Sequence, residues 1–335
     1  MKRKLYILLG AMALLIIIGS VVIVLATKKT NADIALEEDK LQVVTTFYPI
    51  YMIGLNLTEG IDDIEVKSLT DLNTGCLHDY ILTTEDMKII SSADVMVING
   101  GGMESFLEDI RTNYPELTII DASQGIEMLP SASEHAHGTE EGDAEAEEEE
   151  HDHGEWNAHV WLDPSLYIKQ IENVTEGLRD YIEASKVIEL SVADELSSNS
   201  LAYIDQIKTL DQQITDLANE ISTDNENTKE AAIFHDAFAY IANRIGLTVA
   251  HTVPLDSDTS LSAGDIAEII DEVQAGNIHY LFTEIQYSDS IASQIAAETD
   301  ASVYIIDSAV TGDGSMDSYM KAMQKNIETI KELIK

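Results

Sequence analysis

The sequence predicts an α/β protein of two lobes, in which each lobe is a parallel sheet flanked by helices. Short β-rich runs alternate with helical or turn-rich stretches in both halves of the chain, an order typical of parallel sheets covered on both faces. Between the halves, apolar residues recur with helical spacing from Leu190 to Ile221 without a glycine or proline. A chain of 335 residues is also long for a single core, which favours two lobes.

The first lobe is predicted over residues 41–186. Its strands are expected at Leu41–Phe47, Ile64–Leu69, Asp94–Asn99 and Leu117–Asp121, and its helical stretches at Thr83–Ser91 and Met103–Tyr114. A further helix is expected to begin at Asp163-Pro164-Ser165, a favourable helix start, because apolar residues then recur every three to five positions as far as Ile182.

A linking helix is predicted over 187–224, and a second lobe over 225–335. One rigid helix between the lobes is favoured, and two helices with an undetected break are the alternative. In the second lobe the expected strands are Ala231–Phe234, Leu247–Ala250, Ile278–Thr283 and Ser302–Ile306, and the expected helices are Ala237–Ile245, Ala263–Ala275 and Ser288–Thr299.

The N-terminus predicts the compartment. Lys2, Arg3 and Lys4 precede an apolar run from Leu5 to Ala26, which is long enough as a helix to span the roughly 30 Å hydrocarbon core of a bilayer. Basic residues before such a run favour a cytoplasmic start and an exported body. We therefore predict a transmembrane signal anchor over residues 1–30, with the body on the extracytoplasmic face of the membrane. The alternative is a signal cleaved after Ala26, which would leave a secreted protein.

The charge balance excludes one class of partner. The chain carries 61 acidic against 19 basic residues, a formal net charge of −42, whereas nucleic-acid binding requires phosphate neutralisation by Lys and Arg. The acidity is interpreted as a solubility feature. Ser131–Glu155 has almost no apolar side chains and is predicted to be a mobile loop. Its histidines are His135, His137, His151 and His153. They either capture Zn²⁺ weakly or are incidental to an acidic loop.

Four side chains are candidate metal ligands because of where they lie relative to the predicted strands. They are His78, His159, His235 and Asp307. His235 and Asp307 directly follow strands, and in open α/β sheets ligands bind outside the carboxyl ends of the strands. His78 lies in a loop past a strand, and His159 precedes a helix. Two ligands from each lobe would place the metal in the cleft between them, and three imidazoles with one carboxylate suit Zn²⁺.

Each candidate also has a structural interpretation. A single histidine after a strand is often only hydrogen-bonded, and an aspartate at a strand end commonly caps a helix. Asp79 and Asp236 could accept hydrogen bonds from the ligands or cap helices, and Glu284 could support a ligand or bind the metal itself. Cys76 is the single cysteine, so no intrachain disulfide forms, and a small structural cysteine is favoured over a thiolate ligand.

Several motifs in a fixed order resemble a known family. They are Val44-Thr45-Thr46-Phe47-Tyr48-Pro49, His78-Asp79-Tyr80 with Thr84-Glu85-Asp86, Ala93-Asp94-Val95 before Asn99-Gly100, His159-Val160-Trp161-Leu162-Asp163-Pro164 after the His-rich loop, His235-Asp236-Ala237-Phe238-Ala239-Tyr240, and Asp307. From about Leu41 to Lys335 the chain is similar to the metal-binding receptors of bacterial zinc and manganese ABC transporters, the zinc-uptake type in particular. The resemblance implies two α/β lobes joined by a long helix, and Zn²⁺ carried as cargo by His78, His159, His235 and Asp307. It also implies a monomeric receptor, not an enzyme, that delivers the metal to a membrane permease and its ATPase.

The sequence departs from the family pattern at two places, and other functions are alternatives to a zinc receptor. Leu77 stands before His78 where the family has proline, and the membrane segment is not followed by a lipoprotein cysteine. Manganese receptors of the family have a carboxylate at the position of His235, which favours Zn²⁺ here. The alternatives are a receptor for manganese or another divalent metal, and a surface metal-buffering or adhesion protein. A zinc hydrolase is disfavoured because no His-Glu-x-x-His run exists and only Glu284 stands out as a base.

Overall fold

A computed structural model of the chain describes residues 40–131, 155–223, 229–253, 262–276, 278–284 and 290–334. Residues Leu41–Lys335 form one compact unit. The predicted membrane anchor over 1–30 and the four histidines of the predicted mobile loop lie outside the described residues. Among the helices that the structure describes, none has the length and apolar character needed to cross a bilayer.

The first lobe is a four-stranded parallel sheet with helices between its strands. Its elements are β1 (Leu41–Thr45), α1 (Tyr48–Leu57), β2 (Ile64–Ser68), α2 (Thr84–Ser91), β3 (Val95–Ile98), α3 (Leu107–Asn113) and β4 (Thr118–Asp121). The strand order is β2-β1-β3-β4, and every pair is parallel. Helix α2 begins where the sequence predicts because Thr83 and Asp86 form a capping box: the Asp86 N–H donates to Thr83 Oγ1, and the Thr83 N–H donates to the Asp86 carboxylate.

Two helices lie between the lobes in the chain order. After a short 3-10 turn (Val160–Leu162), α4 (Pro164–Ser185) begins at Asp163, whose Oδ1 accepts a hydrogen bond from the Ser165 N–H at 2.8 Å. Helix α5 (Ser191–Thr223) runs for 33 residues without a break. The prediction of one long helix, rather than two, is therefore confirmed.

The second lobe repeats the topology of the first. Its elements are β5 (Glu230–Ile233), α6 (Phe238–Arg244), β6 (Thr248–Thr252), α7 (Ala263–Ala275), β7 (Tyr280–Glu284), α8 (Ser290–Glu298), β8 (Ser302–Ile306) and α9 (Ser318–Ile330). The strand order is β6-β5-β7-β8, again all parallel. The predicted fold of two parallel-sheet lobes is confirmed. The predicted strand and helix ends differ from these bounds by a few residues, and the sequence analysis delimits neither α1 nor α9.

Both sheets contain a topological switch point, where the order of the strands reverses. In the first sheet the chain passes from β1 to β2 on one side of β1 and then to β3 on its other side, so the switch point lies between β1 and β3. In the second sheet it lies between β5 and β7 for the same reason. Beyond the carboxyl ends of such a strand pair the connecting segments diverge and leave a crevice that accepts ligands. The fold therefore predicts a binding site near Thr46 and Asn99 in one lobe and near His235 and Glu284 in the other.

The lobes share one hydrophobic core and are tied together by buried polar contacts. The Phe47 and Trp161 rings meet edge to face with centroids 5.2 Å apart. The Trp161 indole N–H donates to the Ser308 carbonyl of the second lobe at 2.8 Å, and the Tyr319 hydroxyl donates to the Trp161 carbonyl at 2.7 Å. Arg244, the last residue of α6, forms ion pairs with Asp163 and with Asp211 of α5. The segment that carries His159 is thus held from both sides.

Burial of the α5 face predicts where the long helix contributes to stability. Leu210 is 1% exposed in the shared core, whereas Leu201 on the same helix is 69% exposed. Leu210→Ala is expected to lower the free energy of unfolding by about 2–5 kcal/mol, because it removes buried methyl groups and leaves a cavity. Leu201→Ala is the matched control and should change it by less than about 0.5 kcal/mol. Urea denaturation followed by tryptophan fluorescence measures both; equal losses would contradict the assigned helix face.

Candidate metal centre

His235 and Glu284 meet at the carboxyl edge of the second sheet. His235 lies just beyond the end of β5, and Glu284 is the last residue of β7, the strand that pairs with β5. His235 Nδ1 lies 3.2 Å from Glu284 Oε2, and Glu284 is only 2% exposed. Ser308 Oγ also donates a hydrogen bond to the Glu284 carboxylate. The carboxylate therefore faces Nδ1 of the imidazole, and Nε2 of His235 is directed elsewhere.

His159 is fixed in one tautomer by its neighbour Asn157. The Asn157 side-chain amide donates to the Asp236 carbonyl at 2.8 Å, which turns its Oδ1 towards His159. Oδ1 then accepts hydrogen bonds from His159 Nδ1 at 2.8 Å and from the His159 backbone N–H at 3.1 Å. With the proton on Nδ1, Nε2 carries the lone pair, the arrangement found when a carbonyl or carboxylate supports a metal-binding histidine.

The loop that carries His78 is anchored through the residues on either side of it. Leu77 is completely buried, and the Tyr80 hydroxyl donates to Asp86 at 3.0 Å. His78 follows in a turn that the Tyr80 N–H closes by donating to the Leu77 carbonyl at 3.2 Å. Cys76 Sγ and His78 Nε2 both lie close to His159 Nε2.

Donor atoms of Cys76, His159 and His235 meet where these segments converge, and His78 approaches them through His159. His78 Nε2 lies 3.4 Å from His159 Nε2, and Cys76 Sγ lies 3.5 Å from His159 Nε2 and 3.9 Å from His235 Nε2. One donor atom each of Cys76, His159 and His235 lies within 4.8 Å of the others. These donors come from both lobes, on segments up to 159 positions apart in the chain. The arrangement can hold one cation between the lobes.

Three separations between these atoms can be compared with those of a tetrahedral shell. Zn–N bonds of about 2.0–2.1 Å and Zn–S bonds of about 2.3 Å, at the tetrahedral angle, place two nitrogens about 3.3–3.4 Å apart. The same geometry places a nitrogen and a sulfur about 3.5–3.6 Å apart. The His78–His159 and Cys76–His159 separations agree with these values within about 0.1 Å, and the Cys76–His235 separation is about 0.3 Å longer. The chemistry and spacing of the donors fit Zn²⁺.

The histidines differ in their readiness to lose a proton. Burial lowers the pKa of His159 well below the usual value for an imidazole, and the nearby His235 and His78 lower it further. Burial also acts to lower the pKa of His235, but hydrogen bonding to Cys76 and Glu284 and the negative charge of both outweigh it and hold this pKa well above its usual value. His159 is therefore unprotonated at neutral pH, whereas a metal must displace a proton from His235.

The remaining sequence candidates lie around this cluster. Asp307 follows β8, and its Oδ1 accepts a hydrogen bond from the Ala309 N–H at 2.9 Å; its carboxylate is not one of the donors that lie within 4.8 Å of one another in the described part of the chain. Asp236 supports Asn157 through its carbonyl rather than its carboxylate. Asp79 is exposed and follows His78 in a turn. His251 lies on β6, and its Nδ1 is 2.7 Å from Glu272 Oε2. It is not one of the clustered donors, in keeping with a structural or surface histidine.

Two features of the site are missed by the sequence analysis. Cys76 is interpreted there as structural, yet its sulfur lies among the imidazoles. Its position two residues before His78 is the sequence signal that indicates a thiolate ligand. Glu104 is the second feature, a fully buried carboxyl at the edge of the first sheet.

Glu104 organises the turn after β3. It accepts hydrogen bonds from Thr46 Oγ1 at 2.7 Å, the Asn99 N–H at 2.7 Å and the Gly100 N–H at 3.0 Å. Burial raises its pKa to about 7. The Asn99 side chain in turn donates to the carbonyl of Ala158 at 2.9 Å, next to His159. The buried carboxyl thus fixes the segment that presents His159.

The fold and the donor cluster define this protein as a two-lobed metal-binding receptor of the substrate-binding type. Residues 43–333 match the model of the family described as zinc-uptake complex component A, periplasmic, and the chain belongs to that family. This finding confirms the resemblance predicted from the motifs, and it is a family of metal-transport receptors rather than of enzymes.

Similar proteins from other bacteria support the assignment to this family. Zinc-binding protein AdcA of Streptococcus pyogenes serotype M3 is 29% identical over 336 residues, which cover 95% of this chain and 61% of AdcA. The chain thus spans about three fifths of the length of that relative. The high-affinity zinc uptake system protein ZnuA of Bacillus subtilis is 27% identical over 301 residues, which cover 88% of each chain.

Solved structures share the fold. The Zn(II)-bound ZnuA-like domain of Streptococcus pneumoniae AdcA matches with a TM-score of 0.67 and 23% identity, covering 88% of this chain and 98% of that domain. The substrate-binding protein FpvC of Pseudomonas aeruginosa in complex with Mn²⁺ matches with a TM-score of 0.69 and 23% identity, covering 88% of this chain and 98% of FpvC. Proteins with this fold are therefore known in complex with zinc and with manganese.

Proposed function

We propose that this protein is an extracytoplasmic receptor that binds Zn²⁺ with high affinity between its lobes and delivers it to the permease of an ABC transporter. The observation that carries the proposal is the convergence of His78, His159 and His235, with 3.4 Å between the first two Nε2 atoms. Two relatives named for zinc binding and zinc uptake support the cargo. The permease and its ATPase are the partners, and the receptor acts as a monomer.

The three imidazoles are the proposed ligands, and each has a support that fixes its orientation or its loop. Asn157 supports His159, Glu284 supports His235, and Leu77 anchors the loop of His78. The family resemblance assigns the fourth position to Asp307, at the end of β8. His135, His137, His151 and His153 are proposed only as a capture loop that raises the local zinc concentration.

Zinc is the proposed cargo because of the donor chemistry. Imidazole nitrogens bind Zn²⁺ more strongly than Mn²⁺, which favours shells rich in oxygen. Glu284 is not placed as the base of a hydrolase, because its buried carboxylate faces His235 Nδ1. Residues 1–30 are proposed to anchor the receptor to the outer face of the cell membrane, and cleavage after Ala26 would release it instead.

Metal competition tests the cargo. The protein is equilibrated with equal concentrations of Zn²⁺ and Mn²⁺, and unbound metal is removed. Native mass spectrometry is then expected to show one Zn²⁺ per chain, because three nitrogen donors bind Zn²⁺ more strongly than Mn²⁺. His251→Ala is the control and should retain the same occupancy. Retention of Mn²⁺ in preference to Zn²⁺ would support the manganese-receptor alternative.

Transport separates a receptor from a surface metal buffer. Cells that lack this chain are expected to take up less zinc at limiting external concentrations, and the wild-type chain should restore uptake while His159→Ala should not. A buffering protein would change the amount of zinc held at the surface without changing the rate of uptake, and that result would refute delivery to a permease.

A further inference from the structure

We infer that Cys76 is a thiolate ligand of the cargo metal and occupies the fourth position of the shell, so that the site is His₃Cys. This inference rests on the proposed function and deepens it, because a sulfur ligand changes which metals the receptor accepts. The family resemblance does not assign a role to this cysteine; the fourth ligand that it implies is the carboxylate of Asp307.

The position of the sulfur carries the inference. Cys76 Sγ lies 3.5 Å from His159 Nε2, a nitrogen whose lone pair is exposed to it because Asn157 holds the proton on Nδ1. The observed separation agrees with the roughly 3.5–3.6 Å expected between sulfur and nitrogen on one tetrahedral Zn²⁺. His159 itself is 3% exposed and is directed into the cluster. A sulfur at this place completes a shell that the imidazoles begin.

The competing donor is less well placed. Asp307 Oδ1 is engaged by the Ala309 N–H at 2.9 Å, and the Asp307 backbone is held by both polar atoms of the Asn326 side chain, at 2.8 and 2.7 Å. Among the described residues, the donors that all lie within 4.8 Å of one another are those of Cys76, His159 and His235, a group that includes neither Asp307 nor His78. With sulfur as the fourth ligand, Asp307 shapes the turn after β8 rather than the shell.

Binding through sulfur has a defined chemistry and a selectivity. The Cys76–His235 pair holds one proton before the metal arrives; that proton passes to solvent as the sulfur–metal and nitrogen–metal bonds form, without any change of oxidation state. Thiolate is a soft donor that favours Zn²⁺ and disfavours Mn²⁺, which prefers oxygen. Cys76 is thus a specificity-determining residue, and its removal should narrow the preference for zinc over manganese.

Spectroscopy of the full chain tests the sulfur ligand directly. The Co²⁺-loaded protein is expected to show a thiolate-to-cobalt charge-transfer band in the near ultraviolet, and X-ray absorption of the Zn²⁺ form should show one sulfur at about 2.3 Å. Because the chain has ten methionines but one cysteine, Cys76→Ser identifies the sulfur. In that variant both signals should be lost, zinc affinity should fall about tenfold or more, and the zinc-to-manganese preference should shrink.

His251→Ala is the matched control. It should keep both sulfur signals and the zinc affinity of the wild type, with circular dichroism confirming that both variants are folded, and Asp307→Asn should also keep both sulfur signals. Zinc bound by the wild type without a sulfur signal, or a signal that persists in Cys76→Ser, would overturn the sulfur ligand and leave the receptor function standing. Absence of zinc binding by the wild type would overturn both.

Discussion

Replacing His159 by alanine is expected to weaken zinc binding by more than about a hundredfold, the largest loss of any single substitution in this protein. Substitutions that only disturb the support of a ligand cost about 10–100-fold in metal affinity, and removal of the ligand itself should exceed that range. His159 has the most central position, because its Nε2 lies within 3.5 Å of both His78 Nε2 and Cys76 Sγ.

The effect should be specific to metal binding. His251→Ala is the matched control, since this histidine is also paired with a carboxylate, 2.7 Å from Glu272, but lies on β6 away from the cluster. Calorimetric titration with Zn²⁺ in the presence of a competing chelator measures both variants. An unchanged affinity of His159→Ala would show that the cluster is not the zinc site.

The buried position of His159 calls for a second variant. His78 is only partly buried, so His78→Ala removes a donor from the same cluster with less loss of packing. Like His235→Ala, it is expected to lose most of the zinc affinity. If the three variants fold normally by circular dichroism and all bind zinc like the wild type, the ligand assignment is wrong.

Acidification is expected to weaken zinc binding by about tenfold for each pH unit over the range below the raised pKa of His235. The metal requires an unprotonated nitrogen, whereas Glu284 and Cys76 keep this imidazole protonated at neutral pH. Binding therefore releases a proton, and a higher proton concentration opposes it. The loss should grow steadily as the pH falls below that pKa.

His159 should not add to this pH dependence near neutrality. Burial holds its pKa well below the usual value, so its Nε2 is already available at neutral pH. Titration calorimetry in buffers with different heats of ionisation counts the protons released. We expect one at pH 7, the proton that the Cys76–His235 pair holds in the metal-free protein. An affinity that does not change between pH 5.5 and 7.5 would contradict this account.

Glu284→Gln tests whether the Glu284 carboxylate causes the pH dependence of zinc binding. The amide is nearly isosteric but uncharged, so it no longer stabilises the protonated imidazole 3.2 Å away. The variant should release fewer protons at pH 7 and bind zinc with a weaker dependence on pH. Asp236→Asn, on a residue whose backbone carbonyl rather than its side chain supports Asn157, should leave the proton count unchanged.

The sequence by itself determines the two sheets, the long helix and the family of this protein. Strand and helix signals depend on neighbours a few positions apart, so the alternation of β5, α6, β6 and α7 and the unbroken periodicity of α5 can be read directly. The positions of His235 and Glu284 at strand ends follow from the same signals, together with the rule that ligands bind at the carboxyl edge of a parallel sheet.

Only the tertiary structure decides which polar side chains face one another across the lobes. Cys76 and His235 are 159 positions apart, and their approach depends on the packing of two sheets against shared helices rather than on any local preference. The burial of Glu104, the tautomer imposed by Asn157 and the continuous core through Trp161 have the same origin. Local sequence sets the secondary structure, but the chemistry of a site between lobes is set by long-range contacts, which no short stretch of the chain encodes.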